Sequence, residues 1–208
     1  MMIEGSGNAV RPRREMKETL KLVGVLFLIC LVAGVLLAAV NMVTEEPIAA
    51  AAHAEKMAAI TTVLPDCDND PNADAVQIEH DGRIWTFYVA RMKGSFAGAA
   101  FEARSARGYG GEIVVMVGAD ADNRIQAIEI LKQKETPGLG ARIENPDFKG
   151  RFSNLAIRDT RWKVRKDNGD IDQITAATIS SRAVVEAIGR SVQVYLANKD
   201  AIAGSGSE

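Results

Sequence analysis

The stretch Asp172-Gln173-Ile174-Thr175-Ala176-Ala177-Thr178-Ile179-Ser180-Ser181 lies where a short apolar strand pattern over residues 171–174 changes to a helical pattern over about residues 180–198. Hydroxyl side chains crowd this junction, namely Thr175, Thr178, Ser180 and Ser181. The free N–H groups at a helix N-terminus, together with the positive end of the helix dipole, favour a phosphate. Ser and Thr side chains also commonly cap helices. The stretch therefore predicts a helix start that either is capped by its own hydroxyls or binds an anion.

Length and charge restrict the class of protein. The chain has 208 residues, enough for one ordinary domain with additional segments. Its formal net charge of −2 at pH 7 gives no basic surface of the kind that binds nucleic acid. Cys30 and Cys67 are far apart in sequence, and no metal-ligand spacing is present. We therefore expect no disulfide, no metal centre and no nucleic-acid partner.

A membrane-spanning helix is predicted over residues 22–43, a continuous apolar run without a charged residue. A helix needs about 20 such residues to cross the bilayer core. Ala38 and Ala39 also resemble a signal-peptide processing site, but signal peptides have apolar regions of only about 7–15 residues, which favours an uncleaved anchor. Basic residues cluster in the tail 1–21, before the span. The positive-inside rule then places the N-terminus in the cytoplasm and the rest of the chain outside the cytoplasmic (inner) membrane.

Residues 44–74 are expected to form a juxtamembrane helix and a loop. The segment 44–63 is rich in Ala, with Pro47 placed to start a helix and Pro65 just beyond its end. The following segment 65–73 carries several acidic residues among turn formers. It lacks the residue order of an EF-hand, which favours a solvated loop over a calcium site.

An antiparallel sheet is predicted in the domain 75–202. Apolar and polar residues alternate over residues 76–78, 84–90, 97–103, 113–117 and 125–131, the pattern of half-buried strands. Asp81-Gly82 and Asp122-Asn123 lie between such runs and predict hairpins. The tail 203–208 is small and polar and is expected to be disordered. The fold class is therefore α+β, a single spanning helix followed by a sheet with packed helices.

The segment Lys134-Glu135-Thr136-Pro137-Gly138-Leu139-Gly140 directly follows the last predicted strand. Pro-Gly favours a type II turn, and a turn alone would account for the pattern. Glu135, Thr136 and Leu139 on one turn would also supply an acceptor, a hydroxyl and an apolar contact, a set that suits a planar ring with polar edges. The run Gly108-Tyr109-Gly110-Gly111 interrupts the third and fourth strands, where glycine allows a ligand to approach the backbone.

The remaining segments support this core. Residues 145–158 read as irregular, with Phe148 and Phe152 as aromatic anchors, and a brief strand is predicted over 162–165 before a turn over 167–170. In the final helix one face is apolar and is expected to pack on the sheet; it comprises Val184, Ile188, Val192 and Tyr195.

The two motifs together resemble the FMN-binding domain family. Its flavinylation motif has the form Asp-x-x-(Ser/Thr)-Gly-Ala-Thr-x-(Ser/Thr), and the residues that match it here are Asp172, Thr175, Ala177, Thr178 and Ser180. Ala176 stands where the family usually has Gly. An added methyl group there is a small change unless the turn needs a positive φ. The family also carries a Glu-Thr-Pro-Gly-Leu-Gly block after its hairpin, and residues 135–140 match it completely.

The resemblance implies a covalent FMN, joined through its phosphate to the Thr178 hydroxyl by a separate flavin transferase. It also implies a set of contacts around the cofactor, namely Tyr109, Gly110, Glu135, Thr136, Gly138, Leu139, Gly140, Thr175, Ala176, Ala177 and Ser180. No acid, base or nucleophile for substrate turnover is implied, so no catalytic residue is predicted.

The implied function is an electron relay within a membrane complex. The membrane exit over residues 41–48 resembles that of G subunits of the Rnf family, the ion-translocating ferredoxin:NAD oxidoreductases. The alternatives are the C subunit of a sodium-translocating NADH:quinone reductase, which shares the domain, and a membrane-anchored sensory or assembly module without a redox role. Other membrane subunits are the expected partners.

Overall fold

The structure is a computed structural model that describes residues 12–204, with side chains from Met16 onward. Residues 1–11 of the predicted basic tail and residues 205–208 of the predicted C-terminal tail lie outside the described residues. The elements follow in the order α1 (Pro12–Val63), β1 (Val76–His80), β2 (Arg83–Met92), β3 (Ser95–Ser105), β4 (Ile113–Asp120), β5 (Ile125–Lys132), α2 (Pro146–Lys149) and α3 (Thr178–Gly204).

Helix α1 is continuous over 52 residues and contains the predicted span. Its most apolar part is fully exposed in the structure and is long enough to cross a membrane. The prediction that Pro47 starts a new helix is wrong, because α1 runs through Pro47 without ending. A proline inside a helix removes one hydrogen bond and costs about 3 kcal/mol. The strong helix formers that follow it, from Ala49 to Ala52, continue the helix.

The chain divides between Ala52 and His53 into two units. The second unit begins inside α1, well before the sheet, and includes the last residues of the helix. Ala59, Ile60 and Val63 are buried in it, and together with Leu64 they contact Tyr88, Ala90, Ala100 and Met116 on the sheet.

The sheet is a five-stranded antiparallel meander in the order β1-β2-β3-β4-β5. All five predicted strands are confirmed. The predicted hairpin at Asp81-Gly82 is present, with φ of 50° and 69° at its central residues, as a type I′ turn requires. Lys93-Gly94 forms a second hairpin of the same kind, with φ of 52° and 78°, which the sequence reasoning missed because Lys is not a typical first residue of such turns.

One face of the sheet packs against α3 and forms the main core. The predicted apolar face of α3 is confirmed, since Val184, Ile188, Val192 and Tyr195 are completely buried. The Tyr195 ring stacks on Phe101 with centroids 5.4 Å apart. Its hydroxyl donates a hydrogen bond to the carbonyl of Asp120 at 3.3 Å. Burial of each such side chain contributes about 1.5–3 kcal/mol.

The opposite face of the sheet holds the end of α1 at very short range. A Cβ atom at Gly118 would lie 1.8 Å from the carbonyl oxygen of Val63. Only glycine therefore fits at this position of β4, and the helix backbone lies directly on the strand.

The acidic loop after α1 is fastened to β2. Asn69 donates a hydrogen bond to the Val89 carbonyl at 2.8 Å and accepts one from the Arg91 amide at 2.7 Å. Asp68 accepts a hydrogen bond from the Lys93 amide at 2.8 Å. Within residues 16–204 no group of acidic, His or Cys side chains is placed to hold a metal ion. The loop therefore ties the end of the helix to the sheet.

The segment between β5 and α3 is less regular than predicted. The brief strands expected over residues 162–165 and 171–174 are wrong, since only a single parallel bridge joins Val164 to Ile171. A turn with Asn168 in the left-handed region (φ 60°) separates these two residues, which leaves no room for a ladder. The predicted aromatic anchors Phe148 and Phe152 are buried and meet edge to face.

Candidate functional site

The two sequence motifs face each other across one cavity of about 530 Å³. Its lining residues are Tyr109, Glu135, Thr136, Leu139, Gly140, Ala176, Ala177, Thr178, Ile179 and Ser180. Of the predicted site residues, Gly110, Gly138 and Thr175 do not line it. Ile179 lines the cavity and was missed, because the motif treats its position as variable. Its apolar side chain is about half exposed at the start of a helix, which is the signal that was available.

The start of α3 leaves its N–H groups without a side-chain cap. Thr178 is the first residue of α3, and Ala177 occupies the N-cap, where its carbonyl accepts the first helical hydrogen bond from the Ser181 amide at 3.1 Å. An alanine has no side-chain oxygen with which to cap. The hydroxyls of Ser180 and Ser181 are directed elsewhere, to Glu135 and to the Ala177 carbonyl. The common interpretation of these hydroxyls as N-caps is therefore wrong, and the first-turn amides are open to an external acceptor.

Ser181 instead stabilises the turn that precedes α3. Its hydroxyl donates to the Ala177 carbonyl at 3.0 Å and accepts the Ile174 amide proton at 3.0 Å. The Ala177 amide also donates to the Ile174 carbonyl at 3.1 Å, which closes a β-turn over residues 174–177. The side chain of Thr178, half-buried, projects from the end of this turn into the cavity wall.

Ala176 occupies the third position of that turn with φ of 65°. A positive φ at this position is the mark of a type II turn, which favours glycine. An L-residue with a Cβ atom pays about 1–2 kcal/mol in this conformation. Alanine in place of the usual glycine of the family motif therefore strains the backbone at this position. The residue itself is exposed.

Glu135 joins the walls of the cavity. Its side chain is buried, with 5% of the residue exposed. One carboxylate oxygen accepts a hydrogen bond from the Gly110 amide at 2.9 Å, and the other accepts one from the Ser180 hydroxyl at 2.5 Å. Both carboxylate oxygens of Glu135 therefore accept hydrogen bonds from the protein itself. Through these bonds Glu135, which belongs to the turn block, connects that block to the glycine-rich loop and to α3.

Two glycines make this arrangement possible. A Cβ atom at Gly140 would lie 2.5 Å from a carboxylate oxygen of Glu135 and 2.6 Å from the Ser180 hydroxyl. A Cβ atom at Gly110 would lie 1.7 Å from the Lys134 carbonyl oxygen. Gly110 was predicted to let a ligand approach, and Gly140 to shape the turn; at both positions the closest approach in the structure is between the protein's own segments.

The cavity combines apolar walls with hydroxyl groups. Leu139, Ile179 and Tyr109 are 45%, 49% and 72% exposed, which is unusual for large apolar side chains at one place. Thr136 and Thr178 supply hydroxyls beside them. A volume of this size is in the range of small-molecule sites. A flat aromatic ring between the apolar side chains and a phosphate at the start of α3 would satisfy both kinds of group.

Asp172, the first residue of the motif, lies outside the cavity and holds in place the segment that leads to Thr178. Its carboxylate is 2.9 Å from the Arg165 guanidinium, and its carbonyl accepts a hydrogen bond from Arg151 at 2.6 Å. Nearby, Asp167 forms an ion pair with Arg182 of α3. The hydrogen bonds from Arg182 lower the pKa of Asp167. These pairs fasten the segment before Thr178 to the rest of the domain.

Comparison with known proteins agrees with this geometry. The FMN-binding domain model matches residues 108–193, which include every residue that lines the cavity. The G subunit of the ion-translocating oxidoreductase complex of Stutzerimonas stutzeri is 37% identical over 80% of this chain and 76% of that protein. The corresponding G subunit of Cereibacter sphaeroides (strain ATCC 17023) is 36% identical over 88% of each. The chain belongs to the family of G subunits of ion-translocating oxidoreductase complexes.

Membership of this G-subunit family confirms several predictions. The chain has an FMN-binding domain and an electron-transfer role, and it is anchored to a membrane by its N-terminal helix. The main prediction, a G subunit, is favoured over the predicted alternatives. Among solved structures, the C subunit of the Na⁺-translocating NADH-quinone reductase from Parabacteroides distasonis is similar, with 23% identity over 59% of this chain and 72% of that chain and a TM-score of 0.45.

Proposed function

We propose that the chain carries FMN as a phosphoester on Thr178 and relays electrons within an Rnf-type ion-translocating complex. One observation carries the proposal: Thr178 stands at the first turn of α3, where Ala177 leaves the amides uncapped, and it shares a cavity with the Glu-Thr-Pro-Gly-Leu-Gly turn. The hydroxyl that would be modified, the amides that would stabilise the phosphate and the apolar surface that would hold the ring are thus adjacent.

The phosphate would be stabilised by the helix. A phosphodiester keeps one negative charge, and the N–H groups and dipole at the start of a helix stabilise such a charge. Attachment needs a donor, and a flavin transferase acting on FAD would supply it. The Thr178 oxygen–phosphorus bond forms as the pyrophosphate bond of FAD breaks, AMP leaves, and the hydroxyl proton passes to a base of the transferase.

The ring would be held by the walls of the cavity. FMN, when bound, supplies the ability to accept and donate electrons, and the protein tunes its potential by hydrogen bonds and local charge. Leu139, Ile179 and Tyr109 offer the apolar surfaces, and Thr136 offers a hydroxyl to a polar edge. Glu135 acts through its bonds to Gly110 and Ser180, which fix the distance between the walls.

The decisive experiment concerns attachment at Thr178. In the Thr178→Ala variant, coexpressed with a flavin transferase, we expect no flavin fluorescence in the denatured protein, because a phosphoester needs a hydroxyl. Thr178→Ser should retain some flavin. Thr175→Ala is the matched control: its side chain lies outside the cavity, and the variant should be fully labelled.

Loss of folding would not explain a negative result. The turn before α3 is held by Ser181 and by backbone hydrogen bonds, and Thr178 contributes no cap. The variant should therefore show the helical signal and thermal transition of the unmodified protein. Full labelling of Thr178→Ala would refute the assignment and direct attention to Thr175.

The orientation of the anchor is part of the same proposal. Basic residues precede the span, which favours a cytoplasmic N-terminus and an extracytoplasmic domain. A covalent tether suits that location, because FMN lost there would not be readily replaced. A reporter fused after Glu208 should be active only if it requires an extracytoplasmic position, and activity of a strictly cytoplasmic reporter would contradict this orientation.

The proposal also includes assembly of this chain with other membrane subunits, because the relatives of the chain are subunits of a complex. Purification of the complex through a different subunit should recover this chain together with its flavin. The chain would then pass electrons between cofactors of neighbouring subunits.

A further inference from the structure

The sheet divides into two arms at one end. The ladder between β2 and β3 joins Phe87–Met92 to Ser95–Phe101 and goes no further. The preceding residues of β2 pair only with β1, and the following residues of β3 pair only with β4. Two strand edges therefore face each other without a ladder between them. The unpaired backbone N–H and C=O groups on such edges are able to pair with another chain.

A cleft of about 320 Å³ occupies this division. Its lining comes from both arms of the sheet, from α3 and from the last part of α1, and comprises Lys56, Arg83, Ile84, Trp85, Thr86, Tyr88, Glu102, Arg104, Ala187 and Arg190. None of these residues lines the flavin cavity. We define this set as the split-sheet cleft.

The charge of the split-sheet cleft is positive. It contains four cationic side chains and one carboxylate, Glu102, which leaves three positive charges. Glu102 is already paired, with its oxygen 2.7 Å from Lys56 and with a second contact to Arg104. Burial alone would raise the pKa of Glu102, but the hydrogen bonds and charges of these two partners outweigh it and lower the pKa. The one negative group is therefore ionised and used within the protein.

The charge of the other two guanidinium groups, those of Arg83 and Arg190, is not neutralised within the described chain. In the part of the chain that the structure describes, neither Arg83 nor Arg190 forms an ion pair with a carboxylate. Arg83 lies over the Trp85 ring at 5.5 Å. Arg190 donates hydrogen bonds to two backbone carbonyls, that of Glu186 at 3.4 Å and that of Arg104 at 3.2 Å on the strand that lacks its ladder there, and its guanidinium has further N–H donors. Arginine in such a position is well suited to bind a carboxylate with two parallel hydrogen bonds.

Trp85 adds an unused donor. Its indole nitrogen is buried and has no hydrogen-bond acceptor within residues 16–204. A buried donor without a partner costs about 1–3 kcal/mol. Arginine, tryptophan and tyrosine are also the residues that dominate the binding energy of protein interfaces, and all three occur in this cleft.

We propose that the split-sheet cleft is a docking site for an acidic segment of a neighbouring subunit, whose Asp or Glu side chain meets Arg83 and Arg190. The composition favours a protein over a free anion, because the aromatic side chains and the open strand edges provide contacts that a free anion would not use. The inference rests on the proposed assembly into a complex, and it is independent of flavin attachment.

Charge reversal tests the site in the assembled complex. The variant Arg83→Glu/Arg190→Glu, in the full chain, should be recovered with the other subunits at least ten-fold less than the unmodified chain at physiological salt. The matched control is Arg158→Glu/Lys166→Glu, which makes the same change in charge at exposed positions outside the cleft and should be recovered normally. Both variants should keep their flavin content, which reports an intact domain.

Cross-linking identifies the occupant. A photoreactive side chain at Ile84, which is exposed at the cleft, should cross-link a segment of another subunit that contains Asp or Glu. The cross-link should disappear in the charge-reversal variant. A cross-linked segment without carboxylates, or no cross-link in an intact complex, would overturn the proposal. Displacement of the cross-link by millimolar inorganic phosphate with no loss of assembly would show a small-anion site and would also overturn it.

The outcomes separate this inference from the proposed function. If the unmodified chain is not recovered with any other subunit, the proposed assembly is wrong. If the unmodified chain and the charge-reversal variant are recovered equally, assembly stands and only the docking site is wrong.

Discussion

Ala176→Gly should stabilise the protein, which is opposite to the usual effect of this substitution. Ala176 has φ of 65°, a conformation that costs an L-residue about 1–2 kcal/mol. Glycine removes that cost but loses about 0.5–1 kcal/mol through its greater freedom in the unfolded chain. Because Ala176 is exposed, little packing is lost. The net gain in the free energy of unfolding is about 0.5–1 kcal/mol.

Thermal unfolding of the full chain in detergent provides the measurement. For a protein of this size 1 kcal/mol corresponds to a change in Tm of about 2–4 °C, so we expect an increase of about 1–4 °C. Ala197→Gly is the matched control, because Ala197 is exposed in the middle of an ordinary helix. There the same substitution should cost about 1 kcal/mol.

The two results together test the reasoning. A decrease in Tm for Ala176→Gly equal to that for Ala197→Gly would show that the turn does not hold Ala176 in a strained conformation. If the strain also slows modification, Ala176→Gly should acquire flavin faster than the unmodified chain when the flavin transferase is limiting. An unchanged labelling rate with a raised Tm would show that the strain lowers the stability of the fold but does not slow flavin attachment.

Three further predictions follow from contacts at the site. Thr136→Val keeps the volume of the side chain but removes the hydroxyl, so the flavin spectrum or potential should shift while attachment persists; an unchanged spectrum and potential would place the ring elsewhere. Glu135→Ala should lower the free energy of unfolding by about 1–3 kcal/mol, because it leaves the buried Ser180 hydroxyl without its acceptor and also removes the bond to the Gly110 amide. Glu135→Gln should lose less in the same urea titration, and equal losses would contradict the bridging role. Arg182 lowers the pKa of Asp167 in the folded state, so this pair stabilises the protein above the unfolded pKa of about 3.9. That stabilisation is lost as the pH falls through the folded pKa. The urea midpoint should therefore decline on acidification below about pH 4, and Asp167→Asn should reduce that decline.

The strands were predictable because each carries its own periodic signal. Alternation in β2 and β3 places Phe87 and Phe101 on the core face, and no long-range information is needed to see it. The hairpin at Lys93-Gly94 was missed because the strands' register, and not the turn residues, requires a positive φ at Lys93. Similarly, Pro47 signals a helix start only when the residues before it are not already helical.

Most of the cavity lining was predictable as a set of residues, but the roles of its members were not. The motifs place Thr178 and the turn block in one cavity, and a resemblance between whole motifs was sufficient for that. The role of Glu135 depends on Ser180 and Gly110, which are distant in sequence and meet only in the folded chain. The predicted capping role of the hydroxyls is wrong because Ala177, and not a Ser or Thr, occupies the N-cap, while Ser180 bonds the distant Glu135 carboxylate and Ser181 bonds the Ala177 carbonyl.

The contact between Val63 and Gly118 has a practical consequence for dividing this protein. Because a helix backbone rests directly on a strand there, the last turns of the membrane helix act as part of the domain's own interior. A soluble fragment that begins at the first strand would expose the apolar surface of Tyr88, Ala90 and Met116 and should aggregate. A fragment that begins near His53 retains that cover. Exchange of the anchor for that of another protein should likewise be tolerated when the junction lies before His53 and fail when it lies after Val63.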